Sequence, residues 1–155
     1  MLKWDKRFLD LAKCISEWSL DPSTKVGAVI VTPDRQIVSV GFNGFPRGVK
    51  DDERLLDREI KLKLIVHAEM TAVLAAANLG IRVQGCTMYM CASSNGVLWG
   101  SVPCTRCGVQ IIQSGITEIV TVENENVPSR WLEDLAFSKT ILEEAGIKCR
   151  QVDYK

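Results

Sequence analysis

The sequence lacks an excess of charge of either sign, because nineteen Lys and Arg residues balance nineteen Asp and Glu residues. It also lacks a block of basic residues that would neutralise a run of phosphates, so a nucleic acid is not an expected partner. No apolar run approaches the roughly eighteen residues of a membrane span, and no signal-peptide pattern opens the chain. We therefore expect a soluble, cytoplasmic protein that does not associate with membranes.

Internal repeats, low-complexity segments and linkers are also missing, which favours one domain over residues 1–155. A chain of this length with 46% hydrophobic residues can bury a sizeable core without disulfide bonds. Its six cysteines are then more naturally thiols or metal ligands than disulfides. Cys104 and Cys107 stand apart from the other four because they form a C-x-x-C motif.

The spacing of apolar residues predicts helices that alternate with strands. Predicted helices cover residues 3–19, 67–79, 104–114 and 128–145, and predicted strands cover 26–31, 37–42, 87–91, 118–122 and 147–152. The first two strands should form a hairpin, and helices between the later strands imply parallel crossovers. The expected fold class is therefore α/β, with three α/β/α layers and a five-stranded mixed sheet. The charge-rich segment 50–63 is interpreted as a solvated face or mobile flap.

Two short segments carry the candidate chemistry: His67-Ala68-Glu69, and a Pro-Cys pair that opens the C-x-x-C motif at residues 103–107. His67, Cys104 and Cys107 offer three zinc ligands, and a catalytic zinc site keeps three protein ligands and one open position. Both segments fall at predicted helix starts, where backbone amides and the helix dipole favour thiolate over thiol. H-x-E followed by P-C-x-x-C is the signature of the zinc deaminases.

The predicted mechanism assigns Glu69 as the proton carrier beside the open zinc position. Zinc would bring the pKa of water toward about 7, which makes hydroxide available to attack an electrophilic ring carbon. Glu69 would accept the water proton and deliver protons to the ring nitrogen and the departing amine. The products would be ammonia and a ring carbonyl.

Alternatives remain open for each half of the motif. A lone histidine in H-x-E is more often a capping or core residue, and a lone C-x-x-C can be a redox pair. A structural zinc site with Cys91 or another cysteine as fourth ligand is an alternative from a different class, without catalysis. A polynucleotide deaminase such as a tRNA adenosine deaminase would share the metal site, but the zero net charge argues against it.

Beyond the motif, the chain resembles the deoxycytidylate (dCMP) deaminases of the cytidine deaminase superfamily. The resemblance is carried by residues 21–31 (DPSTKVGAVIV), 41–48 (GFNGFPRG), 67–70, 103–107 and 111–116. It implies the cytidine deaminase-like fold, conversion of dCMP to dUMP for thymidylate synthesis, one catalytic zinc ion per chain and a homohexamer. The sequence distinguishes dCMP deamination poorly from deamination of free nucleosides or of dCTP.

The resemblance also implies that Asn43 contacts the sugar and that backbone around Ala68 and Val102, next to Pro103, recognises cytosine. From the residues alone, Asn43 has the alternative role of adopting a left-handed turn conformation. Lys25, Arg106 and Arg130 lie at ends of predicted elements and are candidates for binding phosphate.

Regulation is implied as well, with dCTP, together with Mg²⁺, as activator and dTTP as inhibitor. The effector site would include residues of the glycine-rich loop: Gly41, Asn43, Gly44, Phe45 and Gly48. The loop at 92–102 is longer than is usual in the family, and its Trp99 would either stack on a base or pack the loop down. We favour packing.

Overall fold

The computed structural model describes residues 3–123 and 125–154. Its helices are α1 (Lys3–Ser16), α2 (Arg58–Leu64), α3 (Ala68–Asn78), α4 (Thr105–Ser114) and α5 (Leu132–Glu144). Its strands are β1 (Lys25–Val31), β2 (Ile37–Phe42), β3 (Thr87–Ser94), β4 (Val97–Trp99), β5 (Glu118–Val122) and β6 (Lys148–Val152). Short 3₁₀ turns cover Glu53–Leu55 and Ser129–Trp131. Within the described ranges, no helix has the length and apolar character needed to cross a bilayer.

The strands form one mixed sheet in the order β2-β1-β3-β5-β6. β1 is antiparallel to both β2 and β3, whereas β3, β5 and β6 are parallel. The predicted hairpin and the predicted parallel crossovers are therefore confirmed. This topology brings the start of β1 and the ends of β2 and β3 to one edge of the sheet.

The sheet has a sixth strand that the five-stranded prediction missed. β4 pairs antiparallel with the end of β3, so that Trp99 lies opposite Ala92. Asn95 and Gly96 join the two strands with φ of 52° and 77°. Two successive positive φ values are the geometry of a type I′ turn, which Asn-Gly favours strongly. The segment 92–102 is therefore a hairpin followed by a short connection, and the Asn-Gly pair was a readable signal for it.

Helices cover both faces of the sheet, as the three-layer prediction requires. On one face, α1 packs against alternate residues of the central strands: Phe8, Leu9 and Ala12 contact a layer containing Val29, Tyr89 and Val120. On the other face, α3, α4 and α5 enclose a larger cluster that includes Ala28, Ile30, Ala72, Met88, Ile111, Ile119 and Leu142. The alternation along β1 and β3 follows from the period of two that points successive side chains to opposite faces.

The first helix ends at Ser16, earlier than the predicted residue 19. Trp18 lies beyond this helix and is 56% exposed. Its ring meets the Phe42 ring edge-on, with 6.0 Å between the ring centroids. The chain turns here because the Ser19 hydroxyl donates to the Asn43 carbonyl at 2.8 Å, which draws the segment toward the end of β2. The predicted end of this helix at residue 19 was therefore too late by three residues.

A buried ionic cluster fixes α1 at the opposite edge of the sheet. Asp5 accepts hydrogen bonds from Tyr89 at 2.9 Å and from both terminal nitrogens of Arg150 at 2.9 and 3.0 Å. The Nε of Arg150 donates to Glu118 at 2.7 Å. One helix and three strands are joined by these bonds.

Gly41 lets α3 approach the sheet at backbone distance. A Cβ atom at this position would lie 2.3 Å from the Ala68 carbonyl oxygen and 2.4 Å from the Ala72 amide nitrogen. These contacts involve helix backbone, so they cannot be relieved by a side-chain rotation. Gly41 therefore sets the position of the first turn of α3.

We predict that Gly41→Ala displaces the start of α3 and lowers the free energy of unfolding by about 1–3 kcal/mol. Gly44→Ala is the matched control, since its Cβ would meet only a Phe42 ring atom at 3.8 Å. Urea denaturation of both variants measures the difference. Equal stability of the two variants would contradict this account of the contact.

Candidate active site and metal centre

Two residues that immediately precede helices bring the metal-ligand candidates together. His67 precedes α3 and Cys104 precedes α4, both in extended backbone conformation, and neither side chain caps its own helix. The His67 Nδ1 atom lies 3.4 Å from the Sγ atoms of both Cys104 and Cys107. In the part of the chain that the structure describes, these three residues form the one group of His, Cys, Asp or Glu able to hold a metal ion.

This donor set fits zinc. One imidazole nitrogen and two thiolates bound tetrahedrally at ordinary zinc bond lengths would be separated by roughly 3.6 Å, close to the observed spacing. Cys91 does not supply a fourth ligand, because it packs in the cluster under α1 and lies outside the group. Burial raises the pKa of the Cys91 thiol to about 12. No other cysteine of the described residues belongs to the group either, so the alternative in which Cys91 or another cysteine closes a structural site is wrong.

The two cysteines of the cluster differ in their tendency to ionise. A hydrogen bond from Cys107 lowers the pKa of Cys104 to about 4, and a further hydrogen bond from His67 acts in the same direction. The bond to Cys104 and burial both raise the pKa of Cys107. Hydrogen bonding to Cys104 also raises the pKa of His67, against the effect of burial. The lowered pKa of Cys104 favours a thiolate there, which attracts a cation.

Glu69 lies in the first turn of α3 and is 4% exposed. Together with His67 and Cys104 it lines a cavity of about 250 Å³ at the edge of the sheet described above. Burial raises the pKa of Glu69, while the charge of His67 opposes the rise. A carboxylate with a raised pKa accepts and returns protons more readily near neutral pH.

The cavity also collects several of the predicted substrate-binding residues. Asn43, Val102 and Arg130 line it, together with the catalytic candidates. Ala68 and Pro103 are buried beside the lining and do not contribute to its surface. Lys25 does not line the cavity either, and its ammonium group lies 3.9 Å from Glu17. Arg106 is exposed and is likewise outside the lining.

Asn43 is held rigidly by the start of β1. Its Oδ1 atom accepts from the Val26 amide and its Nδ2 atom donates to the Thr24 carbonyl, both at 2.8 Å. Asn43 is not among the described residues with positive φ, so the alternative of a left-handed turn is wrong. Each amide atom retains capacity for a further hydrogen bond. Asn43 is therefore positioned to contact a molecule in the cavity.

Trp99 is buried, and its indole nitrogen donates to the Ser94 hydroxyl at 3.1 Å across the β3–β4 hairpin. This contact favours the packing role over base stacking, although Trp99 also lines the cavity.

Trp131, unlike Trp99, has no partner for its indole nitrogen within residues 3–123 and 125–154. Among the described residues, the buried Nε1 of Trp131 has no hydrogen-bond acceptor, and Trp131 lines the cavity too.

Lys61 is the functional candidate that the sequence interpretation placed wrongly. It belongs to the segment interpreted as a solvated flap, yet it is 8% exposed and lines the cavity. Its ammonium donates to Asp21 at 3.1 Å and to Ser23 at 3.0 Å. The spacing of apolar residues did not predict the burial of Lys61, because the neighbouring Ile60 and Leu62 are themselves exposed.

The glycine-rich loop is divided between two structural settings. Gly41 belongs to β2, and Gly44 forms a two-way backbone bridge with Val66 immediately before His67. Phe45 lies 5.9 Å from the Arg54 guanidinium, and Gly48 has a φ of 85°. The first half of the loop thus supports the start of α3, and the second half contacts the charge-rich segment.

Known proteins match the part of the chain that carries the metal-ligand group. The family described as cytidine and deoxycytidylate deaminase zinc-binding region matches residues 2–123. An uncharacterised deaminase in the luxG 3′ region of Aliivibrio fischeri is 40% identical over 147 residues, covering 94% of this chain and 91% of that protein. The deoxycytidylate deaminase of Pongo abelii is 30% identical over 156 residues, covering 97% and 80% respectively.

A solved structure shares the fold. The crystal structure of the dCMP deaminase from cyanophage S-TIM5 in complex with dCMP and dUMP matches with a TM-score of 0.72. The match covers 98% of this chain and 99% of that one at 18% identity. Since the matched family region contains every residue of the metal-ligand group, the chain belongs to the cytidine and deoxycytidylate deaminase family.

Proposed function

We propose that this deaminase hydrolyses dCMP to dUMP and ammonia. The observation that carries the proposal is the composition of one cavity, which contains the metal-ligand group, a buried carboxylate and a set of cationic side chains. These are Arg58 and Arg130, together with Lys61, whose charge is compensated by Asp21. Deamination of a cytosine base requires the metal-ligand group and the carboxylate, and the cationic side chains attract a monophosphate.

The proposed chemistry depends on Glu69. Zinc held by His67, Cys104 and Cys107 would supply Lewis acidity that brings the pKa of water toward about 7. Glu69 takes one proton from the attacking water and passes it to the pyrimidine ring nitrogen. It then takes the proton of the hydroxyl formed on the ring carbon and passes it to the amine, so that the C–N bond breaks, ammonia leaves and a carbonyl remains. The burial of Glu69 excludes bulk water, which would otherwise compete for these protons.

The remaining lining residues hold the substrate in our proposal. Asn43 uses its free amide capacity on the deoxyribose, and backbone at Val102 contacts the cytosine edge. Ala68 and Pro103, the other predicted cytosine contacts, lie behind the lining and are left out of this proposal. Arg130 is the phosphate ligand, and its guanidinium already donates to the Thr24 hydroxyl at 3.2 Å. Lys25, the other predicted phosphate ligand, is left out of this proposal because it lies outside the lining.

The named relatives support dCMP over the alternatives. The Pongo abelii relative is a deoxycytidylate deaminase, and the cyanophage neighbour was crystallised with dCMP and dUMP. We extend the proposal to supply of dUMP for thymidylate synthesis in the cytoplasm, activation by dCTP with Mg²⁺, inhibition by dTTP and assembly as a homohexamer. The support for these finer points is the family resemblance of the glycine-rich loop.

The first test of the function is loss of cytosine absorbance when zinc-loaded protein is mixed with dCMP, cytidine or dCTP. Each assay is run with and without dCTP and Mg²⁺ as candidate activators. We expect turnover to be fastest with dCMP and to rise when dCTP is present. Turnover of cytidine at the same rate as dCMP would contradict the proposed role of the phosphate.

Glu69→Gln should retain zinc and lose activity, because the amide cannot accept the proton of water. The expected decrease in kcat is about 10²–10⁴-fold. Glu59→Gln, an exposed glutamate on α2, is the control and should keep normal turnover. Paired measurements of kcat and of zinc by atomic absorption check this assignment, which near-normal turnover of Glu69→Gln would refute.

Cys104→Ala should abolish stoichiometric zinc binding, since it leaves only two protein ligands. Cys14→Ala serves as the control because Cys14 is exposed on α1 and remote from the metal-ligand group. Zinc content after dialysis is the measurement. A Cys104→Ala protein that retained one zinc ion per chain would show that the metal is held elsewhere.

A further inference from the structure

Lys61 and Lys63 occupy the same short helix but have opposite environments. The Lys61 side chain is 10% exposed and pairs with Asp21, whose side chain is 7% exposed. The Lys63 side chain is 70% exposed and pairs with Glu59 across one helical turn. Burying an ion pair removes two charges from water, which is costly unless further hydrogen bonds complete it. The Lys61 pair does have such bonds.

Asp21 holds the turn that leads into β1. Its Oδ1 atom accepts from the amides of Ser23 at 2.8 Å and Thr24 at 3.2 Å, in addition to the Lys61 ammonium. The charges of Asp21 and Lys61 therefore compensate each other. Lys61 contributes little net charge to the cavity, and its effect on a bound molecule has to pass through the groups it contacts.

The group through which Lys61 acts is the Ser23 hydroxyl. Ser23 lines the cavity, and its Oγ atom accepts a hydrogen bond from Lys61 at 3.0 Å. A hydroxyl has one hydrogen to donate. Across residues 3–123 and 125–154, no acceptor for that hydrogen is present. Lys61 thus fixes Ser23 as a donor whose hydrogen is available to a molecule in the cavity.

The neighbouring Thr24 is arranged in the same way. Its hydroxyl accepts from Arg130 at 3.2 Å and lies 3.2 Å from the Ser94 hydroxyl, which accepts from Trp99. The Thr24 and Ser94 hydroxyls have two hydrogens in total, and the hydrogen bond between them uses one of these. Thr24 and Ser94 therefore retain a second available donor close to Ser23.

We propose that Lys61 is a positioning residue for nucleotide selectivity, which turns the Ser23 hydroxyl into a donor to the substrate's monophosphate. The inference rests on the proposed function and deepens it, because it names the groups that separate a nucleotide from a nucleoside. Lys61 acts through Ser23 and does not itself contact the phosphate. The Asp21 carboxylate is needed to hold both Lys61 and the turn in place.

The test compares affinities for a nucleotide and a nucleoside, so that it does not depend on turnover. Zinc-loaded protein is titrated calorimetrically with dUMP and with deoxyuridine. Because Lys61→Met alone would leave a buried unpaired carboxylate, the variant used is Asp21→Asn, Lys61→Met. Lys63→Met on the same helix is the matched control, and Ser23→Ala removes the hydroxyl directly.

We expect the double variant and Ser23→Ala each to weaken dUMP binding about 10-fold, as for a lost hydrogen bond to a charged group. Deoxyuridine affinity should change by less than about twofold, and Lys63→Met should match the wild type for both ligands. Combining Ser23→Ala with the double variant should cause no further loss, because the two changes remove the same contact.

Three results would overturn the inference. Equal weakening of dUMP and deoxyuridine would give Lys61 a merely structural role, and additive losses would show that it acts independently of Ser23. If the double variant fails to fold, an unchanged dUMP affinity in Ser23→Ala is decisive against the inference. A wild-type protein that binds dUMP no more tightly than deoxyuridine instead removes the phosphate premise of the proposed function itself.

Discussion

The mutual approach of two helix N-termini is the contact on which the rest of the site depends. α3 and α4 start beside each other at the sheet edge where β2 and β3 end, so the residues before them face one another. His67 and Cys104 leave their own helices uncapped and contact each other at 3.4 Å. Gly41 makes this possible, since a larger residue would push the α3 backbone away from β2.

The cavity combines two electrostatic environments that a nucleotide would require. At the metal-ligand group, the pKa of Cys104 is lowered, and Glu69 is the proton carrier in the proposed function. Elsewhere in the lining, Lys61 donates to the Ser23 hydroxyl and Arg130 donates to the Thr24 hydroxyl, so each hydroxyl keeps its own hydrogen for donation. Selectivity for an anionic group can then come from oriented neutral dipoles as well as from net charge.

The sequence was sufficient to predict the layers, the hairpin, the parallel crossovers and the three candidate metal ligands that the structure brings together. These follow from local rules: helical spacing in α1, a β-rich run in β1, and ligand types at fixed spacing in residues 67–69 and 103–107. It was insufficient for Lys61, because burial of an ammonium depends on an aspartate that lies 40 residues away. The predicted end of the first helix was too late for a similar reason, since Ser19 makes a tertiary hydrogen bond to the Asn43 carbonyl.

The separation along the chain of the contacting residues has a consequence for the order of assembly. His67 and Cys104 are 37 residues apart, whereas Thr24 and Arg130 are 106 apart. Closing the longer loop costs roughly 1 kcal/mol more in chain entropy. During synthesis, all three ligands also precede Arg130 in the order of translation. The metal-ligand group can therefore form first, and the C-terminal segment then completes the lining of the cavity.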